Sequence, residues 1–256
     1  MARIIYLLKL LMMAAVLMGC SVTDATEAVN QESLKLDTKF MGTYEKVDAF
    51  PYTTIEIICY EDGAGKYIRT VYQNGYNEIM EGKFIKVEEA KVKDEDNKVQ
   101  ISFLDASLTF IQDGNQLSYR KISPIVQDDF KLSNGLRKDM SYIELEENFE
   151  LSEPLEPLQG PLNMTSVDID GINVSLHSNT PSVEESTVFG YRIRDGKVKT
   201  FRGIGIGSSV EDVFALYEPR PLSEFTTSIE YKVGQYSLIF IIADEKVREI
   251  HCMNKM

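Results

Sequence analysis

Apolar and polar residues alternate with a period of two over much of the stretch from Phe40 to Ile122, the pattern of strands that bury one face. Seven strands are predicted there: Gly42–Val47, Thr53–Tyr60, Lys66–Tyr72, Glu78–Val87, Lys98–Leu104, Ser107–Gln112 and Gln116–Ile122. Between them stand Glu61-Asp62-Gly63-Ala64-Gly65, Asn74-Gly75, Asp94-Glu95-Asp96-Asn97 and Asp113-Gly114-Asn115. These residue types accept the positive φ of tight hairpin turns. Strands joined so closely make an antiparallel meander, and closing it into a small barrel removes its exposed edges. Residues 40–123 are thus expected to form an antiparallel β domain.

The pattern changes after Pro124. The stretch Pro124–Asn134, with its proline, the pair Asp128-Asp129 and the turn-like Ser133-Asn134-Gly135, is predicted to be a boundary. Beyond it two stretches run in parallel: Gly135-Leu136-Arg137-Lys138-Asp139-Met140-Ser141-Tyr142-Ile143-Glu144-Leu145 and Gly203-Ile204-Gly205-Ile206-Gly207-Ser208-Ser209-Val210-Glu211-Asp212-Val213. Both continue to an aromatic-Glu pair, Phe149-Glu150 and Tyr217-Glu218, and then to a proline. In the second, Ser208 with Glu211 three residues on suggests a capping box, and Val210, Val213, Phe214 and Tyr217 share one helical face. Pro219 stops that helix, and Ile229–Val233, Tyr236–Ala243 and Lys246–Cys252 are strands for it to cover. Similar hairpins, Tyr191–Val198 and Phe240–Val247, are expected to end the two units. The expected class is α+β: an N-terminal meander or barrel, then tandem α/β units over about 134–202 and 203–256, with short helices packed on antiparallel sheet.

The N-terminus has a third pattern. Arg3 and Lys9 precede an unbroken run of nine apolar residues, Leu10–Met18, which Gly19-Cys20 ends. Nine residues make only about 14 Å of helix, roughly half a hydrocarbon core, so the segment reads as a secretory signal rather than a span. Leu17-Met18-Gly19-Cys20 resembles the lipobox of bacterial lipoproteins. That resemblance implies cleavage between Gly19 and Cys20, diacylation of Cys20 and attachment to the extracytoplasmic face of the cell membrane. Two acyl chains hold a protein stably where one does not. Residues 1–19 are then the signal peptide, and the polar residues 20–39 a flexible tether.

Two further resemblances concern the mature chain. Gly42-Thr43-Tyr44 at the head of a meander resembles the start of small lipocalin-like barrels. The Gly-Ile-Gly-Ile-Gly-Ser-Ser-Val-Glu-Asp-Val motif at 203–213 is similar to that of the helix-plus-sheet domains of the beta-lactamase inhibitor protein and of small outer-membrane assembly lipoproteins. In those proteins the domains make protein–protein contacts, and the motif itself is scaffold.

Composition narrows the choice. The chain of 256 residues carries 27 Lys+Arg against 40 Asp+Glu, a net charge of −13. Removing Arg3 and Lys9 with the signal takes this to −15. Such a chain is ill suited to nucleic acid, and an anionic membrane repels it, so lipid on Cys20 is the expected membrane partner. Gly203–Gly207 departs from the dinucleotide fingerprint because Ser208 stands where the third glycine belongs, so no nucleotide cofactor is expected. Asp94–Asn97 and Asp168-Ile169-Asp170-Gly171 lack EF-hand spacing and read as hairpin turns. His177 and His251 fall in different units, and no H-E-x-x-H or G-x-S-x-G is present; no catalytic or metal residue is assigned, and no cofactor. Cys59 and Cys252, both inside apolar runs, are read as buried thiols. Aromatics concentrate in the β domain, and Tyr44, Tyr60, Tyr67 and Tyr72 are the candidates to line a cavity if the barrel encloses one. The expectation is a non-enzymatic, lipid-anchored envelope protein that contacts an envelope partner or acts as scaffold. Capture of a small hydrophobic ligand by the barrel and an unrecognised cell-wall or glycan hydrolase are the alternatives.

Overall fold

Eight antiparallel strands rather than seven run from Gly42 to Ser123 and close on themselves: β1 (Gly42–Lys46), β2 (Tyr52–Cys59), β3 (Ala64–Gln73), β4 (Tyr76–Glu88), β5 (Lys91–Asp94), β6 (Val99–Leu104), β7 (Ser107–Gln112) and β8 (Asn115–Ser123). In this computed structural model β1 pairs with both β2 and β8, so the barrel has no free edge. The structure describes residues 38–48, 51–60, 64–73, 75–94, 96–151, 163–218 and 227–254. The signal segment and nearly all of the tether, Gly19 and Cys20 included, lie outside them.

Alternation explains the barrel. Ile55 and Ile57 on β2, Tyr67 on β3, Phe84 on β4, Ile101 on β6, Phe110 on β7 and Tyr119 on β8 all point inward and are buried. Two glycines make room for rings: Tyr67 lies directly across from Gly82, and Gly65 directly across from Phe84. A methyl group on Gly82 would sit 2.5 Å from the Tyr67 ring. The strand missing from the sequence reading, β5, is four residues long and turns a single apolar side chain, Val92, inward between lysines. The Asp94–Asn97 turn uses its carboxylate internally, the Val99 amide donating to Asp94 Oδ1 at 3.0 Å.

The rest of the chain departs from the α+β expectation. Strand accounts for 58% of the described residues and helix for 11%, so the fold is mainly β. The two α-helices among the described residues, α1 (Tyr142–Asn148) and α2 (Val210–Leu216), are seven residues each. Each has room for only a short apolar stripe, Tyr142 and Leu145 or Val210 and Val213. The strands β9 (Met164–Ile169), β10 (Ile172–His177), β11 (Thr187–Ile193), β12 (Ser228–Val233), β13 (Tyr236–Ala243) and β14 (Lys246–Asn254) do not divide into two α/β units. They form one six-stranded antiparallel sheet in the order β12-β13-β14-β11-β10-β9. Two meanders of three strands join through the pairing of β11 with β14, which matches Arg192 to His251.

The sequence parallel has a backbone counterpart. Amide 139 donates to carbonyl 188 and amide 188 to carbonyl 140, and the same pair of bonds recurs as 207 to 247 and 247 to 208, all at 2.8–2.9 Å. Gly135 and Gly203 hold matching positive-φ turns, at φ 94° and 89°. The helix caps match too, but α2 is capped by Ser209 with Asp212, one residue later than Ser208 with Glu211, as α1 is capped by Ser141 with Glu144. Ser208 instead accepts from the Gly205 amide. Of the two expected hairpins, Phe240–Val247 is the β13–β14 turn, whereas β11 ends at Ile193 and residues 194–198 form no strand.

Barrel and sheet meet around Pro124–Asn134, which is packed rather than loose: Ile125, Val126, Phe130 and Leu132 are buried. At the centre Arg202 donates to both Asp129 oxygens at 2.7 Å and to the carbonyls of Pro124 and Leu216 at 2.7 and 2.6 Å. Both side chains are almost fully buried, at 3% and 0% exposure. Around this core Thr43 donates to the Ile125 carbonyl, Ser123 to that of Lys232, and the Gln127 amide to Glu56. Burial pushes the Glu56 carboxyl above its ordinary range, against the pull of that amide.

Candidate functional site

The four tyrosines singled out by the sequence do not share one cavity. Tyr44 and Tyr67 are buried in the barrel core; the Tyr44 hydroxyl donates to the Phe40 carbonyl at 2.8 Å, and Tyr67 packs edge-on against Phe110. Tyr60 and Tyr72 are 39% exposed, and Tyr72 pairs with Tyr52 on the outer surface. Inside the barrel Phe110 also meets Tyr119, whose hydroxyl accepts from Arg69. Interlocked rings thus occupy the space a ligand would need.

The six-stranded sheet offers a different surface. Its side chains alternate, so Val174, Leu176, Val188, Ile193, Leu238, Phe240, Ile250 and Cys252 point into the core shared with α1 and α2. The opposite face carries mostly half-buried and exposed side chains, with Ser237 buried among them, and no described helix lies over it. One row across that face reads Glu230, Ile239, His251, Arg192, Asn173, Asp168. The next row reads Lys232, Ser237, Met253, Gly190, Ser175, Ser166.

A trough of about 340 Å³ opens where these rows cross β10, β11 and β14. Its cause is local. The β10–β11 register shifts between Ser175 and Leu176, a bulge that bends β11 at Phe189-Gly190. Gly190 is required there, because an added Cβ would lie 2.6 Å from the Cys252 carbonyl oxygen. With no side chain at 190, Met164, Phe189 and Met253 become the apolar walls, and Asn173, Ser175, Arg192 and His251 the polar lining. His177 packs its ring against Phe189, 5.7 Å between centroids.

Charge at the trough is organised by one carboxylate. Glu249 lies 2.8 Å from His251 Nε2 and 3.4 Å from the Nε atoms of both Arg192 and Arg194. The hydrogen bond to His251, with the two guanidiniums beside it, holds the Glu249 carboxyl below its ordinary range. Beneath the face lies the thiol of Cys252, pushed up to about 12 by burial. Cys252 and Cys59 are both buried, and neither forms a disulfide. No family model matches the chain, and no curated protein does. Among solved structures it is similar to a chain from Eubacterium rectale described as a "Putative DNA polymerase III beta subunit", at 13% identity and a TM-score of 0.17. The match covers 86% of this chain and 58% of that one, and so low a score carries nothing about the fold or role of this protein.

Two smaller cavities lie elsewhere on the described surface. One of about 140 Å³ beside Lys121, Arg202 and Tyr217 belongs to the barrel–sheet junction, where Lys121 donates to the Lys39 carbonyl and pairs with Glu218. Burial lowers the Lys121 ammonium despite that partner. The other, about 230 Å³, is a groove outside the barrel between Val87 and Ser102. None of the three cavities is lined by two carboxylates, the pair that glycoside hydrolysis requires. Among the described residues no three His, Cys, Asp or Glu side chains gather as a metal site, and no helix is long and apolar enough to cross a membrane. The sequence reading missed Phe189, Gly190 and Arg192. Its one available signal was Gly190, a lone glycine amid strand-forming residues, which marks a bulge or a close backbone approach.

Proposed function

We propose that the chain is an exported, lipid-anchored envelope protein that works by non-covalent contact with another envelope protein, made at the open face of the six-stranded sheet. The observation that carries this reading is the trough of about 340 Å³ in the middle of that face, walled by Met164, Phe189 and Met253. A sheet that buries one face and leaves an apolar-lined concavity on the other is suited to covering by a partner. The barrel, its interior filled by Tyr44, Tyr67, Phe110 and Tyr119, is better suited to rigid support than to ligand capture. The anchor rests on Leu17-Met18-Gly19-Cys20 and the apolar run before it.

Replacing Cys20 tests the anchor. Cys20→Ser is expected to move the protein from the membrane fraction to the soluble fraction and to remove the mass of the acyl groups. A variant that stays membrane-bound at unchanged mass contradicts it.

A further inference from the structure

We propose that the partner segment docking on the open face presents an acidic side chain beside an apolar one, the carboxylate meeting Arg192 and the apolar group filling the trough against Phe189 and Met253. This inference rests on the contact reading above and adds the chemistry of the partner.

Charge is the first support. The chain as a whole is strongly acidic, at −13, yet at the centre of this face two guanidiniums share the single carboxylate of Glu249. Arg192 and Arg194 remain 44% and 58% exposed, and their contacts to Glu249, at 3.4 Å, run through Nε. Among the described residues, the terminal nitrogens of Arg192 engage in no hydrogen bond. They form the planar fork that binds carboxylates through two parallel hydrogen bonds.

Position is the second. Arg192 and His251 are directly paired across β11 and β14, the junction of the two meanders. They therefore lie at the middle of six strands, with Asn173 and Ile239 as the next cross-strand neighbours. Charged contacts framed by apolar ones, away from the rim, are where interfaces concentrate their binding energy.

Shape selects a macromolecule. At about 340 Å³ the trough holds on the order of ten waters at ~30 Å³ each. It is open along the sheet, so a small molecule would leave much of its surface in water, unlike ligands of enclosed pockets. A protein segment needs no enclosure, because its own body covers the site.

Two peptides labelled with fluorescein on the N-terminal amine, Gly-Phe-Asp-Leu-Gly-amide and its Asn counterpart, decide the matter, titrated by anisotropy with the full lipidated chain in detergent. The Asp peptide is expected to bind about tenfold more tightly, the factor carried by one charge-assisted contact. Raising salt narrows the gap, Arg192→Gln abolishes it, and Arg192→Lys keeps part of it. Equal affinity for the two peptides, binding of neither, or a preference that survives Arg192→Gln overturns the inference. If both bind equally and Phe189→Ser weakens both, the open face still makes contacts and only the acidic partner is wrong. If Phe189→Ser leaves both unchanged, the contact reading of the face falls with it.

Discussion

Arg202 and Asp129 show how much a single pair can carry in this chain. Their side chains are removed from water and bonded at 2.7 Å, and Arg202 also ties down two carbonyls. Removing one partner of such a pair leaves an uncompensated buried charge, typically at a cost of about 3–5 kcal/mol. Asp129→Ala is expected to lower stability to urea by that amount, and a loss under about 1 kcal/mol would show that the junction relaxes around it. The sequence did not disclose this pair. Asp128-Asp129 stand in a polar-looking stretch, and the partner of Asp129 lies 73 positions away, so no local pattern links them. Glu249 titrates in the opposite setting, at the surface. Its carboxyl is held below the ordinary range by His251, Arg194 and Arg192, so its contribution to stability is present above that range and is lost as pH falls through the lowered folded value. Glu249→Gln is therefore expected to be less stable than the parent at neutral pH and equal to it in acid well below the carboxylate range, as read by urea unfolding at both. A deficit that persists in acid would mean that shape, not charge, matters at this position.

At the scale of elements, alternation was the legible signal and pairing the hidden one. Seven of eight barrel strands could be read from apolar–polar alternation bounded by turn residues. β5 escaped because it is four residues long with one apolar side chain, Val92. The glycine–ring pairs Gly82–Tyr67 and Gly65–Phe84 could not be read, since they depend on the register between strands. Gly82→Ala pushes a methyl group into a buried ring that has no room to turn, and a loss of about 1–3 kcal/mol is expected in denaturant unfolding. An unchanged midpoint would contradict the close approach. In the C-terminal half the duplicated turn-and-helix motif was legible from its glycines and serines. The hairpins assigned by similarity at Tyr191–Val198 and Phe240–Val247 were not equivalent. The backbone instead matches Val188 with Val247 through the bonds each makes to the loop before its helix. Short helices with two buried residues apiece looked like half of an α/β unit in sequence, but they serve as a partial cover for one large sheet.

For the molecule as a whole, the consequence of joining two meanders is a broad sheet with one covered face and one open face. Which face stays open, and that Arg192 and His251 meet at its centre, follow from the β11–β14 pairing and from nothing local, so the sequence placed the two histidines in separate units and left the site unread. The lipobox-like Leu17-Met18-Gly19-Cys20, by contrast, is a local pattern that needs no pairing to be noticed. A filled barrel is joined through Arg202 and Asp129 to a sheet with one uncovered face, and the proposed contact is made at that face. A photoreactive amino acid placed at Ser175 on the open face, with Ile79 on the outer barrel as the control site, tests this most directly in living cells. The account expects a discrete protein adduct from position 175 and none from position 79. An adduct from 79 alone, or no protein adduct at 175, would contradict it.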